Sequence, residues 1–195
     1  RNSFGHVMAS GLMMAPLFAY IASAQQIFFD IFDAGDIFVY VFALNAAAMS
    51  LGNFANSRIV MRFGARRVSQ SALISAIHYA TALTGGINMW TFTAFLVPSM
   101  AMVGLTGANF SSIAMQPFGK IAGVASSFQN FARSGLSASI GAGIGMQFDG
   151  TVMPIAAGFL ICGIASLTLI FWAEKGRLFR RVQFGASPDP ISPNY

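Results

Sequence analysis

The chain has 195 residues, of which 55% are hydrophobic and only 9% charged, with a formal net charge of +5 and a mean hydropathy of +0.65. A soluble domain normally carries about a quarter charged residues, so there is too little polar material here to cover a water-soluble globule, and a bilayer becomes the natural solvent. The basic residues lie in short connectors between apolar runs, which favours a topology signal over a nucleic-acid-binding face.

Six apolar runs of spanning length follow one another, at 7–29, 37–55, 68–87, 91–114, 121–146 and 151–173. Each is near the ~20 residues a helix needs to cross the hydrocarbon core. A lone apolar strand would leave its backbone unpaired in lipid, and the runs lack the alternation of a membrane barrel, so the fold class is all-α. The first run is too long for a signal-peptide core, and Arg1 is read as an internal residue of a longer protein. The expected organisation is a six-helix transmembrane bundle over 1–182 and a Pro- and Ser-containing flexible tail over 183–195.

Charge orients the bundle. Asp30, Asp33, Asp36 and Asp149 fall on one side, in the first and fifth connectors. Arg58, Arg62, Arg66 and Arg67 in the second connector, Lys120 in the fourth, and Lys175, Arg177, Arg180 and Arg181 after the last run fall on the other. The positive-inside rule then makes both ends of the segment cytoplasmic. Trp90 and Trp172 stand at run ends, where indole rings favour the interface.

Two stretches carry a family resemblance. "RFGARR", with Arg62, Gly64, Arg66 and Arg67, resembles the second copy of the cytoplasmic loop motif of the major facilitator superfamily, although Met61 or Arg62 stands where the first copy has an acid. "AMQPFGKIAGVASSFQNF", from Ala114 to Phe131, together with "FALNA" at Phe42 to Ala46, resembles the Bcr/CflA branch of drug:proton antiporters. The resemblance implies the C-terminal half, helices 7–12, of a twelve-helix secondary transporter. It further implies proton-coupled efflux of drug-like or other small molecules, with the N-terminal six-helix half, membrane lipid, the substrate and protons as partners. Three alternatives stay open: a metabolite importer of the same fold, a complete six-helix homodimeric transporter, and a membrane scaffold.

Arg133 is the most informative residue. It lies roughly 18 Å into the fifth run at 1.5 Å per residue, too deep for easy snorkelling. Ser126, Asn130, Arg133 and Ser137 recur at helical spacing on one face with Gln129 beside them, while Val124, Phe128, Phe131 and Gly135 form an apolar face. A central charge costs at least about 2.5–3.5 kcal/mol, so the polar face is expected to look into a cavity or toward a partner helix. Asn45 and Asn109 are further candidates to line a cavity or bond neighbouring helices. Gly135, Ser139 and Gly143, and likewise Ser137, Gly141 and Gly145, make two small-residue faces suited to close helix packing. Pro98 is expected to kink its helix. His78 is read as a structural or lipid-edge residue rather than a proton relay, and Cys162 as packing.

No catalytic machinery is visible, so the chain is not read as an enzyme. His6 and His78 are the only histidines, no Cys/His spacing suits a metal, and no cofactor is expected. No Asp or Glu lies mid-run, which puts the principal proton-binding carboxylate in the other half.

Overall fold

The computed structural model describes residues 2–58 and 64–173. They form six helices: α1 (Asn2–Gln26), α2 (Phe38–Arg58), α3 (Gly64–Leu83), α4 (Met89–Met115), α5 (Ala122–Gly145) and α6 (Met153–Ala173). The expected tail at 183–195 lies outside the described residues. Four segments are long and apolar enough to cross a membrane: Ser3–Ile31, Phe38–Asn56, Met89–Gly119 and Met153–Ala173. The other two helices, α3 and α5, have the length, but Ser, Gly, Gln and, in α5, Arg133 dilute their apolarity.

Local chemistry sets the helix ends. After α1 the coil widens into a π-helical turn, Ile27–Ile31, where the Phe32 amide donates to the Ile27 carbonyl at 3.1 Å. Asp33 then reverses the chain at φ 47°. Asn88 starts α4 with a capping box: its Oδ1 accepts from the Thr91 amide at 2.9 Å and the Thr91 hydroxyl oxygen accepts from the Asn88 amide at 2.9 Å. Between α4 and α5 the chain tightens into a 3₁₀ segment, Gln116–Ile121, with Pro117 in its first turn, where a missing N–H costs nothing. Pro16 and Pro98 lie inside α1 and α4, each removing one intrahelical bond.

The packing has an internal symmetry. Helix α1 packs against α5, α6 and α4; α4 packs against α2, α3 and α1; α3 packs against α6. Exchanging the first three helices for the last three, so that α1 becomes α4, α2 becomes α5 and α3 becomes α6, reproduces these pairings. Ring contacts fix the relative direction of the two central helices: His6 meets Phe110 at 5.7 Å, and Phe28 meets Phe92 at 6.3 Å. They therefore run antiparallel, and the two three-helix units are inverted copies of one another in packing. By contrast α1 and α5 are parallel, since Gly11 abuts Leu136 and Gly141 abuts Phe18.

Two apolar clusters hold the bundle. The larger joins Tyr20, Ile27 and Phe28 to Phe92, Leu96, Met100, Ile155 and Phe159 at the end carrying Asp30 and Asp149. The smaller joins Ala9, Met13, Val68, Phe110 and Ile170 toward the opposite end. The outward surface is also apolar: Tyr40 and Leu51 on α2, and Val124, Phe128 and Phe131 on α5, are each at least two-thirds exposed. In water such faces would seek partners, whereas lipid or a second helical bundle satisfies them.

Candidate functional site

The polar groups of the bundle interior centre on α5. Ser137 is fully buried, and its hydroxyl is placed between the Gly11 carbonyl of α1 at 2.9 Å and the Arg133 carbonyl of its own helix at 2.7 Å. This tie exists because Gly11 has no side chain: a Cβ there would lie 2.8 Å from Leu136 Cδ2. Farther along the same crossing, a Cβ on Gly141 would lie 2.6 Å from Phe18 Cβ and 2.8 Å from the Ala15 carbonyl. The face made by Ser137, Gly141 and Gly145 thus meets α1. Gly135, Ser139 and Gly143 occupy the other side, where a Cβ on Gly135 or Gly143 would meet nothing within 4 Å.

Arg133 lies one turn from Ser137 toward the start of α5. Its Nη2 donates to Asn130 Oδ1 at 3.3 Å, and its Nε is buried without a hydrogen-bond partner among the described residues. Along this face Ser137 and Gln129 are buried, Arg133 is half-buried and Asn130, toward the N-terminal end of α5, is exposed. Ser126 is half-buried there, its hydroxyl donating back to the Gly123 carbonyl at 2.9 Å. Gln129 spans toward α4, donating from Nε2 to the Ser111 hydroxyl at 2.8 Å, while its buried Oε1 has no partner among the described residues.

Ser126, Gln129, Asn130, Arg133 and Ser137 therefore share one side of α5, whereas Asn45 and Asn109 lie on other helices. Asn45 on α2 donates to the Val41 carbonyl at 2.9 Å and reaches the Tyr20 hydroxyl at 3.4 Å. Tyr20 is nine positions beyond Gly11 on α1, about 13 Å along its axis. Asn109 on α4 donates to the Leu105 carbonyl at 3.1 Å, and its Oδ1 is buried without a partner among the described residues. His78 is buried rather than lipid-facing, stacked on Phe95 at 5.3 Å and edge-on to Phe92 at 5.5 Å. Arg62 lies outside the described residues, as do the side chains of Arg66 and Arg67 where α3 begins at Gly64.

Sequence reasoning missed Ser111, Gly11, Tyr20 and a second close crossing. In that crossing a Cβ on Gly52 of α2 would collide with the Ala101 carbonyl, and one on Gly104 of α4 with the Met49 carbonyl. Ala48, Gly52 and Asn56, buried at four-residue spacing, were the available signal.

The electrostatics are one-sided. No Asp or Glu occurs within α1 to α6, and Arg133 is the one charged residue of the described helices that lies away from a helix end. Among the described residues no group of three His, Cys, Asp or Glu is placed to hold a metal ion. What α5 offers chemically is a set of fixed hydrogen-bonding groups and one cation, able to hold a polar or anionic group. Comparison with protein-family models, curated proteins and solved structures finds no match to this chain.

Proposed function

We propose that the chain forms one six-helix half of a secondary transporter of the major facilitator type, exporting small molecules in exchange for protons. The observation that carries this reading is the inverted packing of two three-helix units around the antiparallel pair α1 and α4. Inverted repeats of this kind supply the two faces that alternately open in rocking transporters, with the ligand held near the midplane at their junction. Arg133 and its polar neighbours lie near the middle of α5, which supports a ligand site on that helix. The exposed apolar faces of α2 and α5 would then meet lipid or the second half.

On this reading the acidic connectors face the outside and the basic ones the cytoplasm of a bacterial inner membrane. Proton binding would then fall to the other half, a reading supported by α1 to α6 holding no Asp or Glu. The test is to reconstitute the full-length protein in liposomes, impose a pH gradient and follow internal pH as compounds of varied charge are added. Saturable, compound-dependent proton movement is expected. Compound flux that ignores the gradient would remove the coupling, and no protein-dependent flux across a broad panel would remove the transporter reading.

A further inference from the structure

Arg133 raises a question of balance. A guanidinium offers five N–H donors, yet the described residues engage one, through Asn130, and leave Nε buried and unpaired. No carboxylate in the described helices stands where it could neutralise the charge. In the middle of an apolar layer this is a costly arrangement unless an anion completes it.

The surroundings identify what kind of anion. Ser126 and Asn130 share the face of α5 that carries Arg133, giving small polar groups and no apolar knob that a docking helix would fill. The strongly apolar stripe of Val124, Phe128 and Phe131 lies on the opposite side of the same helix and suits lipid or helix contact. A helix carrying a partner carboxylate would be expected to pack on that second surface, whereas a small solute enters by the first. Gln129 Oε1, four residues before Arg133 and so adjacent on the helix surface, adds an unpaired acceptor for a ligand N–H or O–H.

Resting on the transporter reading above, we infer that the cargo bound at α5 is a small organic anion, its carboxylate held by the Arg133 fork. The planar guanidinium matches the two oxygens of a carboxylate, and low surrounding polarity strengthens the charge-assisted bonds. A hydroxyl or amide N–H on the same molecule would be held by Gln129 Oε1. Uncharged compounds of equal shape would lack the term that repays desolvation of the arginine, so discrimination rests on charge rather than fit.

The experiment uses the full-length protein in liposomes with labelled 2-naphthoate and 2-naphthamide, which share a ring system and differ in charge. Equilibrium binding is measured for the wild type, Arg133→Gln and Arg133→Lys, and flux is measured in parallel. In the wild type the carboxylate is expected to bind roughly 10–100-fold tighter than the amide. That preference should vanish in Arg133→Gln and survive in part in Arg133→Lys, which keeps the charge and loses the fork. Equal binding of the two probes, absence of saturable naphthoate binding, or a preference that persists in Arg133→Gln overturns the proposal. So does loss of thermal stability in Arg133→Gln with an unchanged preference, the result expected if the arginine pairs with a carboxylate of another helix. Charge-dependent binding without flux would leave the anion site standing and remove the transporter reading; gradient-driven flux of neutral compounds, indifferent to Arg133, would do the reverse.

Discussion

Replacing Gly141 by alanine tests the α1–α5 crossing. The added methyl would sit 2.6 Å from Phe18 Cβ and 2.8 Å from the Ala15 carbonyl, against the roughly 3.5–4.0 Å of an ordinary carbon contact. Relief requires the helices to part by about 1 Å, since the obstructing atoms are backbone and Cβ, which cannot rotate away. Such a shift would stretch the bond from Ser137 to the Gly11 carbonyl, now 2.9 Å, to about 3.9 Å, beyond hydrogen-bonding range. Overpacking costs about 1–3 kcal/mol and the lost bond about 0.6 kcal/mol, while alanine returns about 1 kcal/mol of helix propensity, so the net loss is about 0.6–2.6 kcal/mol. Gly143→Ala is the matched control: two residues away on the same helix, its methyl meets nothing, and it should gain up to about 1 kcal/mol. Unfolding in mixed micelles by SDS titration reads both variants. Equal stability of the two would refute the crossing geometry.

Three further outcomes are expected. Ser111→Ala strands the Gln129 amide and should cost about 0.6–1.7 kcal/mol by the same titration, with Gln129→Leu in that background recovering most of it; no recovery would place the Gln129 amide elsewhere. His78→Leu removes a buried ring nitrogen that has no hydrogen-bond partner among the described residues, so it should change stability by less than about 1.5 kcal/mol and leave the pH profile of transport in place; a displaced profile would make His78 a proton carrier. Asp149, before α6, accepts from the Thr151 hydroxyl at 2.6 Å, which holds its carboxyl below the usual carboxylate range. Its contribution to folding is thus present above the ordinary carboxylate pKa and lost as pH falls through the depressed value. Thr151→Ala should move the Asp149 titration, followed by carbon-detected NMR, back up; an unmoved titration would rule the hydroxyl out as the cause.

Much of the helix plan was legible in the sequence, because burial in lipid demands long apolar runs and the connectors collect nearly all the charge. The apolar run at 91–114 corresponds to α4, Met89–Met115, and the run at 151–173 to α6, Met153–Ala173. The π-helical turn after α1 was not legible, since Ile27 to Ile31 reads simply as more apolar helix. Pairings were equally hidden. Helical spacing placed Ser126, Asn130, Arg133 and Ser137 on one face, but it could not say that Ser137 meets Gly11 or that Gln129 meets Ser111, because each contact depends on which helices become neighbours. The same blindness applied to the two small-residue faces of α5, which look alike in sequence and differ only in what lies opposite them.

The pairing pattern also bears on how the protein is made. Helix α1 finds its main partners in α5 and α6, yet roughly 100 residues must be synthesised after α1 before α5 emerges, a delay of about 5–20 s at ordinary rates of translation. During that interval the Gly11 surface and the Ser137-binding carbonyl face either lipid or whatever insertion machinery shelters them. A ribosome pausing before Ala122 would prolong the exposure, so quality control of this membrane segment should be most sensitive to defects in its last third, where the partners that close around the first helix are encoded.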